Sequence, residues 1–358
     1  MFYLKKVIFL SLFLILFLFI WFSCEEPATT SPTTTTTIFK GKVNYVPNGV
    51  VYSSYYDETE KILYIGGDFT FIGNNCGCGV PLKLNDGKPV LNLLNMPKAN
   101  NTIQCAVPDG SGGWYIGGSF TKIGSETRNR IARINSDGSL HPWDPSADNT
   151  VYTIAISGST VYVGGSFTNI GGQPRNRIAA IDSTTGSATN WNPNANNTVY
   201  TLAISGSTIY VGGAFTTIGG ETRNRIAALD IITGSATFWN PDVNDIIRVI
   251  VTSGATVYVG GSFTDIGGQP RNRIAAIDST TGKATNWNPN ANSSIYALAI
   301  SGSTIYAGGD FTNIGGETRN YIAAIDAISG TSTSWAPNAN STVYTIAISG
   351  STVYVGGS

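Results

Sequence analysis

The sequence predicts an all-β fold, a β-propeller of about seven four-stranded blades. Three observations predict it. A Gly-Gly pair after Tyr-Val, Tyr-Ile or a close variant recurs at Gly66, Gly117, Gly164, Gly212, Gly260, Gly308 and Gly356, at spacings of 51, 47, 48, 48, 48 and 48. A Trp-x-Pro follows at Trp143, Trp191, Trp239, Trp287 and Trp335. Between these marks lie short β-type runs separated by turn signals, with no helical period. Four strands per unit at a period near 48 residues is the pattern of a propeller blade.

The third unit shows the elements in order. "TVYTIAIS" from Thr150, "TVYVGGSF" from Thr160, "RIAAID" from Arg177 and "SATNW" from Ser187 are the four runs. "SGS", "IGGQPRN", "STTG" and "NPNANN" are the turns between them. Antiparallel strands put "SGS" and "STTG" on one face, "IGGQPRN" and "NPNANN" on the other. Blades stack face to face, so the strands should be apolar almost throughout. Crowding round an axis explains Ala155, Ala203 and Ala299 in the innermost strand. The glycine pair should leave room for a bulky neighbour, the repeated Trp or Phe167.

Residues 38–47 read as an isolated outer strand, with Tyr45-Val46-Pro47 in the place of a Trp-x-Pro. "TVYTIAISGSTVYVGGS" at the C-terminus supplies two inner strands. The expected ring is therefore six full blades and a seventh closed by the N-terminal strand. The stop at Ser358 reads as truncation, because the third strand of that blade is missing.

The stretch "VYVGGSFTNIGGQPRNRIAAID" resembles the bacterial delta-60 type propeller repeats, and the resemblance runs from about Gly49 to the end of the chain. It implies the propeller fold and no assigned activity. More distantly the units resemble the WD-repeat class, without its Gly-His or Trp-Asp signature.

Residues 1–23 read as a signal peptide: Lys5 and Lys6 precede an apolar run from Val7 to Phe22. Ser23-Cys24 followed by a polar stretch resembles the lipobox of bacterial lipoproteins. That resemblance implies a lipid on Cys24 and a location in the cell envelope, outside the cytoplasm and anchored through the N-terminal lipid. The alternative is an uncleaved membrane helix, since about 17–25 apolar residues span a bilayer. Residues 24–37, rich in Thr and Pro, read as an extended tether.

Composition narrows the chemistry. Net charge is −1 and only 12% of residues are charged, so a basic footprint for nucleic acid is lacking. One histidine, His141, makes histidine-based metal and general-base sites unexpected. In an oxidising compartment a disulfide at Cys105 with Cys76 or Cys78 is expected. The Asn-rich loops carry too few carboxylates for calcium. No cofactor or metal is expected.

The second face carries a repeated arginine: Arg128, Arg175, Arg223, Arg271 and Arg319. Such a rim can clamp carboxylate, phosphate or sulfate. The structural alternative pairs each arginine with an acid or a carbonyl, the acids being Glu126, Glu221 and Glu317 or Asp182, Asp230, Asp278 and Asp326. Those aspartates each precede a Gly-ended turn, whose backbone an Asp side chain can satisfy. "AAIDSTTGKATNW" from Ala275 resembles the tryptophan-docking motif of pyrroloquinoline-quinone dehydrogenases, which is structural in that family.

Near-copies round an axis form a symmetric rim, whereas acid–base catalysis needs groups in different environments. The sequence therefore favours a non-enzymatic binding or structural scaffold that presents a repeated loop face to a protein or glycan. The alternative is an extracytoplasmic enzyme, quinoprotein-like or carbohydrate-active, with its site in the divergent first two units or in missing C-terminal sequence.

Overall fold

The computed structural model describes residues 47–57, 62–69, 79–83 and 97–358. Every regular element among them is a β-strand. The inner strands are Val50–Asp57, Ile103–Pro108, Val151–Ser157, Val199–Ser205, Ile247–Ser253, Ile295–Ser301 and Val343–Ser349. Each pairs antiparallel with a middle strand, and the first six middle strands pair with an outer strand. Blade four is representative: Val199–Ser205, Thr208–Gly213 and Ile226–Asp230.

The run expected as a fourth strand is shorter than the sequence suggests. "SATNW" and its counterparts touch the outer strand through one bridge each, such as Ile181 to Ala188 and Leu229 to Ala236. The Trp-x-Pro then turns the chain away. "IGGQP" is more ordered than a loop, because Asn169–Ile170 pairs with Gln173–Pro174 as a small hairpin. Hairpins and Asn-rich loops share one face, called here the hairpin face.

The blades close into a ring. Seven apolar clusters occupy the seven interfaces between consecutive blades. The last of them joins Ala347 of blade seven to Tyr56 and Leu63 of blade one. The same hydrogen bond crosses two interfaces far apart in sequence. Thr201 Oγ1 of blade four accepts from Ile250 N at 3.2 Å, and Thr345 Oγ1 of blade seven accepts from Ser54 N at 3.0 Å. Thr345 and Ser54 hold the equivalent places in their strands, so the closing interface is built like an internal one.

Blade seven has two strands among the described residues. Trp335 of blade six, which faces it, is half-buried, whereas Trp143, Trp191, Trp239 and Trp287 are buried. Residues 38–46 of the expected closing strand lie outside the described residues, as do the signal and tether segments. Pro47 stands four residues before Val51, as Ala147 does before Val151. Of the expected Tyr45-Val46-Pro47 match to Trp-x-Pro, only Pro47 lies among the described residues.

A Cβ on Gly165 would lie 3.0 Å from Phe167 Cδ1, the bulky neighbour expected, but the closest approaches to the pair come from other groups. A Cβ on Gly212 would lie 2.4 Å from Ile247 Cγ2 of the next blade and 2.7 Å from Thr201 Cγ2. A Cβ on Gly213 would lie 2.2 Å from the Thr198 carbonyl oxygen. The first glycine thus admits a β-branched residue of the neighbouring inner strand, and the second admits backbone. The small residues Ala155, Ala203 and Ala299 likewise pack into inter-blade clusters. Overpacking of this kind costs about 1–3 kcal/mol. Gly212→Ala should therefore lower the denaturant midpoint with an unchanged slope. An unchanged midpoint would show that the blades slide apart freely.

Candidate functional site

The repeated charged residues are fixed by the fold. Arg175, Arg223, Arg271 and Arg319 each donate from Nη2 to a carbonyl in the segment before the Trp, at Thr189, Thr237, Thr285 and Thr333, all at 2.6 Å. Each Nη1 donates to the carbonyl of the preceding residue at 2.7–2.9 Å. Arg128 follows the pattern more loosely, with Nη2 at 3.4 Å from the His141 carbonyl. The nearest acids stand farther off, Asp144 at 3.9 Å from Arg128 and Glu317 at 4.0 Å from Arg319. So the partner is a carbonyl rather than a carboxylate, and these guanidiniums clip the end of each blade to its hairpin. One N–H of each terminal nitrogen in the expected anion rim is thus spent on the fold.

A second arginine stands two residues later in four blades. Arg130, Arg177, Arg225 and Arg273 have φ of 65–66°, with Tyr321 at 64° in blade six. This left-handed corner is uncommon for such residues. Backbone bonds impose it: Arg177 N donates to the Phe167 carbonyl and Gly165 N to the Arg177 carbonyl, both at 2.8 Å.

The turn aspartates are equally committed. Asp182 Oδ1 accepts from the backbone of Thr184 and Thr185 and from the Thr185 hydroxyl. The Thr185 bonds hold the Asp182 carboxyl below its ordinary pKa. Asp230, Asp278 and Asp326 repeat the arrangement. Their carbonyls receive the indole N–H of the preceding blade's Trp, for example Trp191 to Asp230 at 3.2 Å and Trp239 to Asp278 at 2.9 Å. Each of those rings also packs edge-on against a Tyr of its own blade, such as Tyr210 with Trp239.

Asparagines of the Asn-rich loops cap the next hairpin. Asn196 Oδ1 accepts from the backbone of Thr216 and Thr217. In blade three, Asp148 takes this place. Burial raises its pKa, but bonds from Thr168 and Asn169 outweigh that and hold it at about 2. Among the described residues no cluster of His, Cys, Asp and Glu has the makings of a metal site.

Blade two departs most from the repeat among the fully described blades. Arg133 Nε and Nη2 both reach Asp109 Oδ2, at 2.9 and 2.7 Å. Asp109 Oδ1 accepts from Ser111 N and Gly113 N. The carboxylate is fully occupied and 2% exposed, which leaves it no capacity as a base. His141 Nδ1 accepts from Trp143 N, and burial with the nearby Arg133 lowers its pKa. Cys105 carries a free thiol packed beside Val151 and Phe167, and burial pushes its pKa up to about 12. Cys24, Cys76 and Cys78 lie outside the described residues.

Two features on the hairpin face are not consumed by the fold. One is a cavity of about 380 Å³ between blades four and five, lined in part by Arg225, Asp242, Asn244 and Asp265. The other surrounds the axis. Each inner strand has a β-bulge near its start, and the bulged positions are Tyr52, Gln104, Tyr152, Tyr200, Arg248, Tyr296 and Tyr344. A bulge re-aims its side chain. Neighbouring rings meet: Tyr152 and Tyr200 at 5.2 Å, Tyr296 and Tyr344 at 5.3 Å, Tyr344 and Tyr52 at 5.5 Å. Equivalent residues of successive inner strands can touch in this way only near the axis. All seven are half-buried. The sequence signal was a Tyr in the same place of most units, broken at Arg248 and Gln104.

Comparison with known proteins agrees with this geometry. Residues 108–142, 160–183, 208–229, 256–278 and 304–327, one stretch in each of blades two to six, match a family described as "Domain of unknown function (DUF5122) beta-propeller". The WD40 β-propeller domain of Doa1 superposes with a TM-score of 0.61 at 12% identity, over 88% of this chain and 94% of that one. The fold is a β-propeller. The computationally designed Ika8 protein is also similar, with a TM-score of 0.54 at 14% identity over 88% of this chain and 95% of that one. No curated protein matches the sequence. The propeller is thus a β-propeller repeat protein whose relatives convey architecture alone.

Proposed function

We propose that this propeller is a non-enzymatic scaffold, held outside the cytoplasm by a lipid on Cys24, that presents its hairpin face to a glycan or protein partner. The observation that carries this reading is the commitment of the repeated charges. Arginines and aspartates that would serve as clamps, bases or acids are held by carbonyls and turn backbones. The exposed remainder of each hairpin is a tip of Gln-Pro or Glu-Thr, as at Gln173–Pro174 and Glu221–Thr222. Repeated tips suit many equivalent weak contacts. The one ion pair deep in divergent blade two is saturated, which weakens the enzyme alternative there.

The test uses the full chain in detergent against immobilised neutral and acidic polysaccharides and purified envelope proteins. The expected result is saturable retention on one of these, with the ligand recovered chemically unchanged by mass spectrometry. Turnover of the ligand, or no retention at all, would contradict the scaffold. Intact mass of the membrane-bound form should exceed that of the polypeptide by a lipid, and Cys24→Ala should lose both the added mass and the anchoring. Equal masses and equal anchoring would make the N-terminal segment a plain membrane helix.

A further inference from the structure

The bulged positions round the axis are Tyr in five blades, but blade five carries Arg248. Its guanidinium lies over the Tyr200 ring, with the central carbon 4.4 Å from the ring centroid. Its Nε is buried and has no hydrogen-bond partner. The rim arginines also leave Nε unbonded, but they spend both terminal nitrogens on carbonyls. Arg248 makes no hydrogen bond or ion pair with any described residue. A half-buried cation with no hydrogen-bonded acceptor is unfavourable, and an anion on its free edge would complete this place. Stacking uses the flat face of the guanidinium and leaves its N–H edge available for a bidentate acceptor.

On the other side, the Tyr296 hydroxyl donates to Asp310 Oδ2 at 2.8 Å. Asp310 is also held by the Thr342 hydroxyl. The Tyr296 ring is thereby fixed, and its oxygen retains acceptor capacity. Half-exposed aromatic rings beside a fixed cation and a few hydroxyls match one chemistry closely. A pyranose has an apolar C–H face for the rings and a hydroxyl edge for the polar groups, and a uronic acid adds one carboxylate.

We propose that the mouth of the central channel on the hairpin face binds a uronic acid residue of an acidic glycan, with Arg248, stacked on Tyr200, holding the carboxylate and Tyr296 flanking the sugar ring. This rests on the scaffold reading and names the ligand class of that face. Phosphate on nucleic acid is a poor candidate, because the chain has a net charge of −1 and lacks the basic footprint such a partner needs.

The experiment is a calorimetric titration of the full chain with trigalacturonate, maltotriose and a triglutamate peptide. Trigalacturonate should bind at one site per chain, more weakly as salt rises. Maltotriose and triglutamate should each bind about tenfold or more weaker, and Arg248→Gln should cost trigalacturonate a similar factor, the scale of a hydrogen-bonded charge pair. Arg248→Tyr restores the residue of the repeat, so it should fold and melt like the parent while losing the same affinity. Equal affinity in Arg248→Tyr would overturn the proposal. So would maltotriose or triglutamate binding as well as trigalacturonate, or no binding of trigalacturonate. Retention on another polysaccharide, unaffected by Arg248→Tyr, would sink this site and leave the scaffold standing. No retention on any ligand would sink both.

Discussion

Phe215→Ala is expected to destabilise the propeller by about 3–5 kcal/mol, the usual cost of emptying a large aromatic from a packed core. Phe215 is fully buried in the cluster that joins blades three and four, with Trp191, Leu202, Val211 and Leu229. Its equivalents Phe69, Phe120, Phe167, Phe263 and Phe311 are buried to within 2%. The ring sits where the middle strand turns into the hairpin. Backbone on both sides is held there, since the Phe215 carbonyl accepts from Arg225 N at 2.8 Å and from Arg225 Nη1 at 3.2 Å. The site therefore cannot collapse to fill the hole, which places the cost in the upper part of that range. Chemical denaturation should show a lower midpoint. A loss under about 1 kcal/mol would mean that the interface repacks and that the blades are less rigidly joined than the clusters imply.

The second large effect concerns the rim arginines. In blades three, four and five, replacing Arg175, Arg223 and Arg271 by Gln removes two charge-assisted bonds per blade. It also strands the Thr189, Thr237 and Thr285 carbonyls, now reached at 2.6 Å. Loss of such a bond costs about 1–3 kcal/mol. The three sites share no partner, so the losses should roughly add. Against a typical total stability of about 5–15 kcal/mol, the triple variant should be severely weakened.

The ring was legible in the sequence because each blade rewrites the same punctuation. The Gly-Gly pairs mark the middle strands, and Asp182 with its Gly-ended turn marks the outer hairpin in the manner the residue types suggest. The fourth run pairs with the outer strand only briefly. "SATNW" has strand-forming residues, but one bridge suffices before Trp191 leaves the sheet to reach the next blade. The sequence left the arginines' partners open between an acid and a carbonyl for a physical reason: carbonyls have no letter of their own, whereas Glu221 and Asp230 do. The aromatic ring round the axis escaped because a bulge breaks the alternation from which facing is inferred. Tyr152 follows buried Val151 and would be assigned to the opposite face of an ordinary strand, which says nothing about the axis. Laying the units over one another would have isolated Arg248 and Gln104 as the exceptions.

The account holds that the repeated charges build the propeller and that binding belongs to the positions that break the repeat. The most direct test is a thermal melt of the Arg175→Gln, Arg223→Gln, Arg271→Gln variant, set beside its retention on the polysaccharide or protein that the parent binds. The predicted result is a melting temperature lowered by many degrees, with retention at low temperature unchanged. An unchanged melting temperature with lost, salt-sensitive retention would contradict the account and return the arginine rim to the role of the binding site.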